Sequence, residues 1–206
     1  MIKLIGNVPD KIAIAVSGGP DSMAALDFLA RSKREICVLY FNHGTEHAKD
    51  AEHLVSDYCG IRNIPYAIGD ISRYKYNDES QEEYWRNERY AFFSNYYDYK
   101  VITCHHLDDA VETWIFTSLH GNPMLIPYKR DNFIRPFLTT RKDDLISWCE
   151  RSDVPYIIDP SNNDTAYMRN FIRHTLLPNA LTVNPGLHKV VKKKVLEQYN
   201  KTVDII

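Results

Sequence analysis

No apolar run in the 206-residue chain approaches the roughly 20 residues that cross a bilayer. The first residues, MIKLIGNVPDK, hold neither a long hydrophobic segment nor a small-residue cleavage site. A membrane span and an export signal are therefore not expected, and a cytoplasmic setting is. Cysteine is scarce: Cys37, Cys59, Cys104 and Cys149 stand far apart and form no CxxC pair. That spacing argues against a zinc or iron–sulfur site and fits reduced thiols. No Gly-Lys-Ser/Thr follows the glycines, so the loop that serves γ-phosphoryl transfer is missing, and the dinucleotide fingerprint with its different glycine spacing is missing too. Charge of neither sign dominates, the formal net being −2, so nothing global draws the chain to nucleic acid. Internal repeats and low-complexity tracts are also absent.

What is present is an ordinary globular composition, 44% hydrophobic and 25% charged, enough for one domain with a proper core. Charge is unevenly spread. Residues 165–206 carry seven basic side chains against two acidic ones, a local +5 that leaves −7 for the rest. Strand-type runs at 11–16, 35–42, 64–70 and 100–104 alternate with helix-type runs near 21–33, 48–60, 80–97 and 107–119. This alternation predicts an α/β fold, a parallel sheet flanked by helices, with ligands beyond the carboxyl ends of the strands. After residue 120 the texture becomes loop-like and then helical, near 140–152, 166–181 and 186–200. The expected division is a sheet domain over 1–125 and a C-terminal helical extension over 126–206.

Three turns follow strands at that edge. SGGPDS, residues 17–22, places two glycines between a β run and a helix run, the geometry in which backbone N–H groups and the helix dipole hold an anion. CHHLDDAVET, residues 104–113, sets Asp109 and Glu112 three apart on one helix face, where paired carboxylates suit Mg²⁺ or an ammonium group. Helix capping by Asp108 or Asp109 explains part of this stretch but not both histidines and the second aspartate. In SQEEYWRNERYAFF, residues 80–93, a capping box runs from Ser80 to Glu83, and Arg86 and Arg89 can share a face. In DPSNNDTAYMRNFIR, residues 159–173, Arg169 and Arg173 are four apart and either reach an anionic ligand or decorate the surface.

Taken in order, SGGPDS, YFNHG, SQEEYWRNERY, HHLDDAVET, RPFL and DPSNNDTAYMRNFIR resemble the signature blocks of the tRNA(Ile)-lysidine synthetases, which are N-type ATP pyrophosphatases. The resemblance runs from about residue 11 to 185 and implies an adenine nucleotide alpha hydrolase-like, Rossmann-like fold. It implies adenylation by ATP of the wobble cytidine of an isoleucine tRNA with a CAU anticodon, followed by attack of free L-lysine to give lysidine, AMP and pyrophosphate. On that reading the backbone of Ser17, Gly18 and Gly19 and the Ser22 hydroxyl cradle the pyrophosphate. Asp21 helps hold Mg²⁺. Arg86 and His105 reach the phosphates, and Asn42, His43 and Gly44 border the adenosine. Asp109 and Glu112 receive the lysine, and Arg169 closes the site. Asp21, Asp109 and Arg86 are the residues expected to carry the chemistry.

Two departures stand out. SLHGNPMLIPYKR occupies the place of a glycine-rich segment, with His120 where the family has arginine. The chain also corresponds to a short form without the C-terminal domains that grip tRNA in longer members. Lys189 and Lys193, sharing a helix face, are the expected tRNA contacts, with a solvated helix as the alternative. A second copy of the chain is admitted as a further partner, and a membrane is not. The competing readings are a base thiolase, disfavoured by the missing CxxC, and a non-catalytic nucleotide- or tRNA-binding relative.

Overall fold

A computed structural model describes residues 1–46, 48–160, 165 and 167–203. The polar turn expected before the last helices lies, over 161–164, outside the described residues. Six strands form one sheet: β1 (Lys11–Val16), β2 (Glu35–Asn42), β3 (Tyr66–Asp70), β4 (Lys100–Ile102), β5 (Lys129–Arg130) and β6 (Phe133–Ile134). Their order is β3-β2-β1-β4-β6-β5, parallel throughout except for the β5–β6 pair.

Helices α1 (Pro20–Ala30), α2 (Ala48–Arg62), α3 (Gln81–Ser94) and α4 (Leu107–Leu119) connect the strands. α5 (Lys142–Arg151), α6 (Met168–Phe171), a π-helical turn (Ile172–Leu176), α7 (Leu177–Val183) and α8 (Leu187–Val203) follow. Among these, no helix is long and apolar enough to cross a membrane.

The strands read as continuous apolar runs because helices cover both faces of the sheet. Alternation then divides each strand between two cores. Ile12, Ile14 and Val16 of β1 pack with Met23, Leu26 and Leu29 of α1, Val55 of α2 and Leu145 of α5. Ala13 and the β2 residues Leu39 and Phe41 pack on the opposite face with Phe93 of α3. A third cluster joins Ala110 and Val111 of α4 to Leu187, Val191 and Val195 of α8, which seats the last helix on the domain. On β3, a Cβ at Gly69 would lie 2.5 Å from the Phe92 ring, so only glycine lets α3 approach that closely.

Two expectations need correction. The sheet does not end before residue 125: β5 and β6 extend it, within the stretch read as a helical extension. Two-residue strands joined through Asp131 at φ +54° carry no alternation for the eye to find. The helix expected over 166–181 is broken into α6, the π turn and α7, with Pro178 in the first turn of the last. Proline cannot donate to the preceding turn, which favours a change of pitch just before it.

Strand order fixes where a ligand can sit. The chain runs outward from β1 to β2 and β3, then returns to place β4 on the other side of β1. The connections after β1 and β4 thus leave the sheet in opposite directions and open a crevice between them.

Candidate functional site

The crevice holds a cavity of about 600 Å³. Its floor is the turn after β1. Gly18 takes φ +80° there, and a Cβ would meet Ala51 of α2 at 3.0 Å. Gly19 is the N-cap of α1 without a capping side chain, and Pro20 opens the helix. Ser22 stabilises the turn from within: its hydroxyl accepts from the Ser17 N–H at 3.1 Å and donates to the Gly19 carbonyl at 3.0 Å. Among the described residues, the N–H groups of Gly18, Gly19, Asp21 and Ser22 have no internal acceptor, as at any helix start. The Gly18 carbonyl accepts from the Ile157 N–H at 2.9 Å, which ties the segment after α5 across the turn.

Asp21 lies just inside the helix. Its Oδ1 is buried without a hydrogen-bond partner, and Oδ2 is 3.6 Å from His106 Nε2 and 4.0 Å from Lys142 Nζ. No cluster of three or more His, Cys, Asp or Glu that could hold a metal ion occurs among the described residues.

The second wall is the start of α4. His106, not an aspartate, is the N-cap. Its Nδ1 accepts from the Asp109 N–H at 3.3 Å, while Asp109 Oδ2 accepts from the His106 N–H at 2.9 Å, a reciprocal capping box. With Nδ1 accepting, the ring proton sits on Nε2, 3.6 Å from both Asp21 Oδ2 and Asp109 Oδ2. Burial works against charge on His106, but Asp109 and Asp21 outweigh it and raise the ring above its ordinary pKa. His105 accepts or donates at Thr103 Oγ1, 3.0 Å away, and burial pushes it down to about 4.

Asp108 turns away from the cavity. It receives the Lys142 N–H at 2.8 Å, Arg141 Nε at 3.2 Å and His188 Nε2 at 3.0 Å, so it joins α4, α5 and α8. Three of the four polar residues in HHLDD therefore serve the fold, His106 and Asp109 through capping and Asp108 through tethering.

Asp109 and Glu112 do share a face, and both are already occupied. Asp109 Oδ1 lies 2.7 Å from Arg169 Nη2. Glu112 accepts from Arg173 Nε at 2.7 Å, Arg173 Nη2 at 3.1 Å and Arg169 Nε at 3.2 Å. Burial alone would raise Asp109, yet the neighbouring His106 and Arg169 hold it well below the usual carboxylate range. Arg169 is 50% exposed and Arg173 21%, so Arg173 makes the drier pair.

Of the residues expected at a nucleotide, Ser17, Gly19, Asp21, Ser22, His43 and His105 line the cavity. Gly18 shapes the turn behind it. Asn42 is engaged by Glu52 at 2.7 Å and accepts from the Gly44 N–H at 2.8 Å, so this pair shapes the β2 turn outside the lining.

Arg86 is exposed, over the Tyr90 ring at 5.4 Å, and Arg89 takes the cavity position. Helical spacing carried that signal, because Arg89 falls on the apolar stripe of Trp85, Phe92 and Tyr96. Arg89 has no carboxylate in ion-pair range among the described residues, and its Nη1 lies 3.4 Å from His43 Nε2. Burial lowers its pKa, so an anion beside it would relieve a desolvated cation. Burial and Arg89 push His43 down to about 4.

Lys142, at the start of α5, was missed as a cavity residue, while Arg173, left open between an anionic ligand and the surface, lines the cavity from the π turn and pairs with Glu112. Cys104 touches the cavity with its Sγ 3.6 Å from the Ala15 carbonyl. Burial, with Asp21 and Asp109 nearby, pushes that thiol far above its ordinary pKa, which suppresses the thiolate a sulfur carrier needs. Lys189 and Lys193 lie away from this cavity, Lys193 being exposed and 3.9 Å from Glu197.

A glycine turn and a polar helix start facing each other across the switch point of a parallel sheet define a nucleotide-binding α/β domain as a fold class. The match is specific: residues 3–180 fit the PP-loop domain, and the chain belongs to that family. It is 35% identical over 199 residues to the bifunctional protein TilS/HprT of Listeria monocytogenes serotype 4b, covering 87% of this chain and 31% of that one. It is 31% identical over 202 residues to the tRNA(Ile)-lysidine synthase of Thermotoga sp. strain RQ2, covering 90% and 49%. The chain thus spans about a third to a half of these relatives. Among solved structures, the NH3-dependent NAD synthetase of Campylobacter jejuni superposes with a TM-score of 0.52 at 14% identity, over 94% of this chain and 86% of that one, a likeness of fold.

Proposed function

We propose that the chain is the catalytic part of a tRNA(Ile)-lysidine synthase: it adenylates the wobble cytidine of an isoleucine tRNA with ATP and joins free lysine to that base with release of AMP. One observation carries this reading. The same cavity offers unpaired N–H groups and a half-buried arginine for an anion and the carboxylate of Asp109 for a cation, with Glu112 on the same helix face just outside the lining. A reaction joining an anionic nucleotide to an amine requires both. The names of the relatives support it, and the inert Cys104 disfavours a thiolase.

In the first step the cytidine O2 attacks the α-phosphorus and pyrophosphate leaves. The free N–H groups of Gly18, Gly19, Asp21 and Ser22 receive the charge that builds on the leaving group. The Ser17 N–H and Ser22 hydroxyl are engaged with each other and hold the turn in shape. Asp21 fits Mg²⁺, because Oδ1 is buried and unpartnered and Mg²⁺ takes one or two carboxylates with substrate phosphates supplying the rest. That ion would neutralise phosphate charge. Lys142 and Arg89 add fixed positive charge to the same region.

In the second step the lysine amine attacks C2 of the adenylated base and AMP departs. Asp109 and Glu112 hold the arriving ammonium in place of Arg169, the more exposed of the two arginines they now bind. Asp109, kept strongly ionised, suits holding a cation better than accepting its proton, so the proton that the ammonium sheds to become the attacking amine leaves to solvent.

The test is nucleoside mass spectrometry after incubating the purified protein with unmodified isoleucine tRNA, ATP and labelled lysine, with pyrophosphate release followed in parallel. Lysine-bearing cytidine is the expected product. Release without incorporation overturns the second step, and no release leaves a binding protein.

A further inference from the structure

A second cavity, of about 360 Å³, lies beside the first: Arg141 lines it while its neighbour Lys142 lines the catalytic cleft. Three lysines from distant parts of the chain, Lys3, Lys189 and Lys192, converge on it. Among the described residues none of the three has a carboxylate within ion-pair distance. The one acidic side chain on its wall, Asp144, is taken by the amino group of Met1. Asp108 already engages Arg141 and the His188 ring there.

This is not a uniformly basic helix. On the side of α8 away from the cavity, Lys193 faces Glu197. Outside the last 42 residues the chain carries −7, so the concavity is a local positive site on an acidic body. Three like charges held together without counter-charges repel, and an external polyanion relieves that. Flexible lysines act as point charges suited to a phosphodiester chain, whereas recognition of one terminal phosphate favours an arginine fork.

We propose that Lys3, Lys189 and Lys192 form a docking site for the phosphate backbone of the RNA substrate, holding it while the target base reaches the adjoining cleft. This rests on the proposed function for the identity of the RNA. The assignment replaces the pairing of Lys189 with Lys193, which helical spacing alone suggests.

The experiment measures the salt dependence of binding of unmodified isoleucine tRNA to the full chain. It compares the parent protein, a Lys189→Gln/Lys192→Gln variant and a Lys193→Gln/Lys194→Gln variant, each also assayed for lysine incorporation. The first variant is expected to bind several-fold more weakly, with the log–log salt slope reduced by about 1.4–1.8, two phosphate contacts' worth. The second variant should keep the parental slope, and the Michaelis constant for ATP should be unchanged in both. An unchanged slope in the first variant, or equal losses in both, overturns the docking site even if the parent incorporates lysine. A slope loss confined to the first variant, with a parent that incorporates none, sustains docking and overturns the reaction. A parent that does not bind the tRNA overturns both.

Discussion

Glu112→Gln tests the cation end of the cleft most directly. The carboxylate is 3% exposed and takes three hydrogen bonds from two guanidinium groups. Glutamine keeps the shape but replaces one acceptor oxygen with an NH2 group facing guanidinium donors. A charge-assisted hydrogen bond contributes about 1.5–3 kcal/mol. Arg169 is half exposed, so its bond to Glu112 counts for little. The two contacts from Arg173 dominate, and a loss of about 2 kcal/mol is expected. For a domain of this size that lowers Tm by about 4–8 °C. If the same carboxylate receives the lysine ammonium, the Michaelis constant for lysine rises about 10- to 150-fold while that for ATP stays in place. Thermal denaturation and pyrophosphate release under lysine and ATP titration read the two effects separately. Equal increases for both substrates would refute the amine assignment, and an unchanged Tm would refute the energetic weight given to the Arg173 pair.

Asp21→Asn should abolish pyrophosphate release and leave Tm nearly unchanged, since the side chain makes no hydrogen bond shorter than its 3.6 Å approach to His106; near-parental release would remove Asp21 from the phosphate end. Gly18→Ala forces a side chain into φ +80° and against Ala51, so a loss of about 1–2 kcal/mol and weaker ATP binding are expected, checked by denaturation and nucleotide titration. Arg89→Ala should weaken ATP binding far more than Arg86→Ala, because only Arg89 lines the cavity; the reverse order would restore Arg86 to the site. His43 titrates near 4 in the fold against about 6.5 unfolded, so the unfolded chain binds more protons between those values and stability falls as pH drops through that window. Denaturation of the nucleotide-free protein at pH 7 and pH 4 should show His43→Phe sparing up to about 3 kcal/mol of that loss, with an identical pH slope in the variant counting against the assignment. His106, raised instead of lowered, works in the opposite direction in both proteins and cancels from the comparison.

The sheet was legible because its signals are local. KIAIAV and EICVLYFN are apolar on both faces, as strands under two helix layers must be, and the 107–119 run appears as α4 with the same bounds. SGGPDS announced its turn because Gly18 needs a positive φ that a neighbouring residue type rarely adopts. β5 and β6 escaped because pairing of β6 with β4, and of β5 with β6, creates them and two residues hold no period.

In the site, residue types and spacing determined that Asp109 and Glu112 would share a face and that a glycine turn would precede α1. They did not determine occupancy. Whether a carboxylate meets solvent, a metal, a substrate or an arginine depends on what the chain brings back from about sixty residues away, and Arg169 returns on α6 and Arg173 on the π turn that follows it. The choice between Arg86 and Arg89 turned on helix phase, about a sixth of a turn, which the apolar stripe carried in the sequence and the packing of Phe92 and Phe93 fixes against the sheet. The same holds at the chain ends. Nothing local links Lys3 to Lys189 and Lys192; burial of Ile5 with Leu187 and Val191 does, because the hydrophobic contact is non-directional and carries the lysines with it.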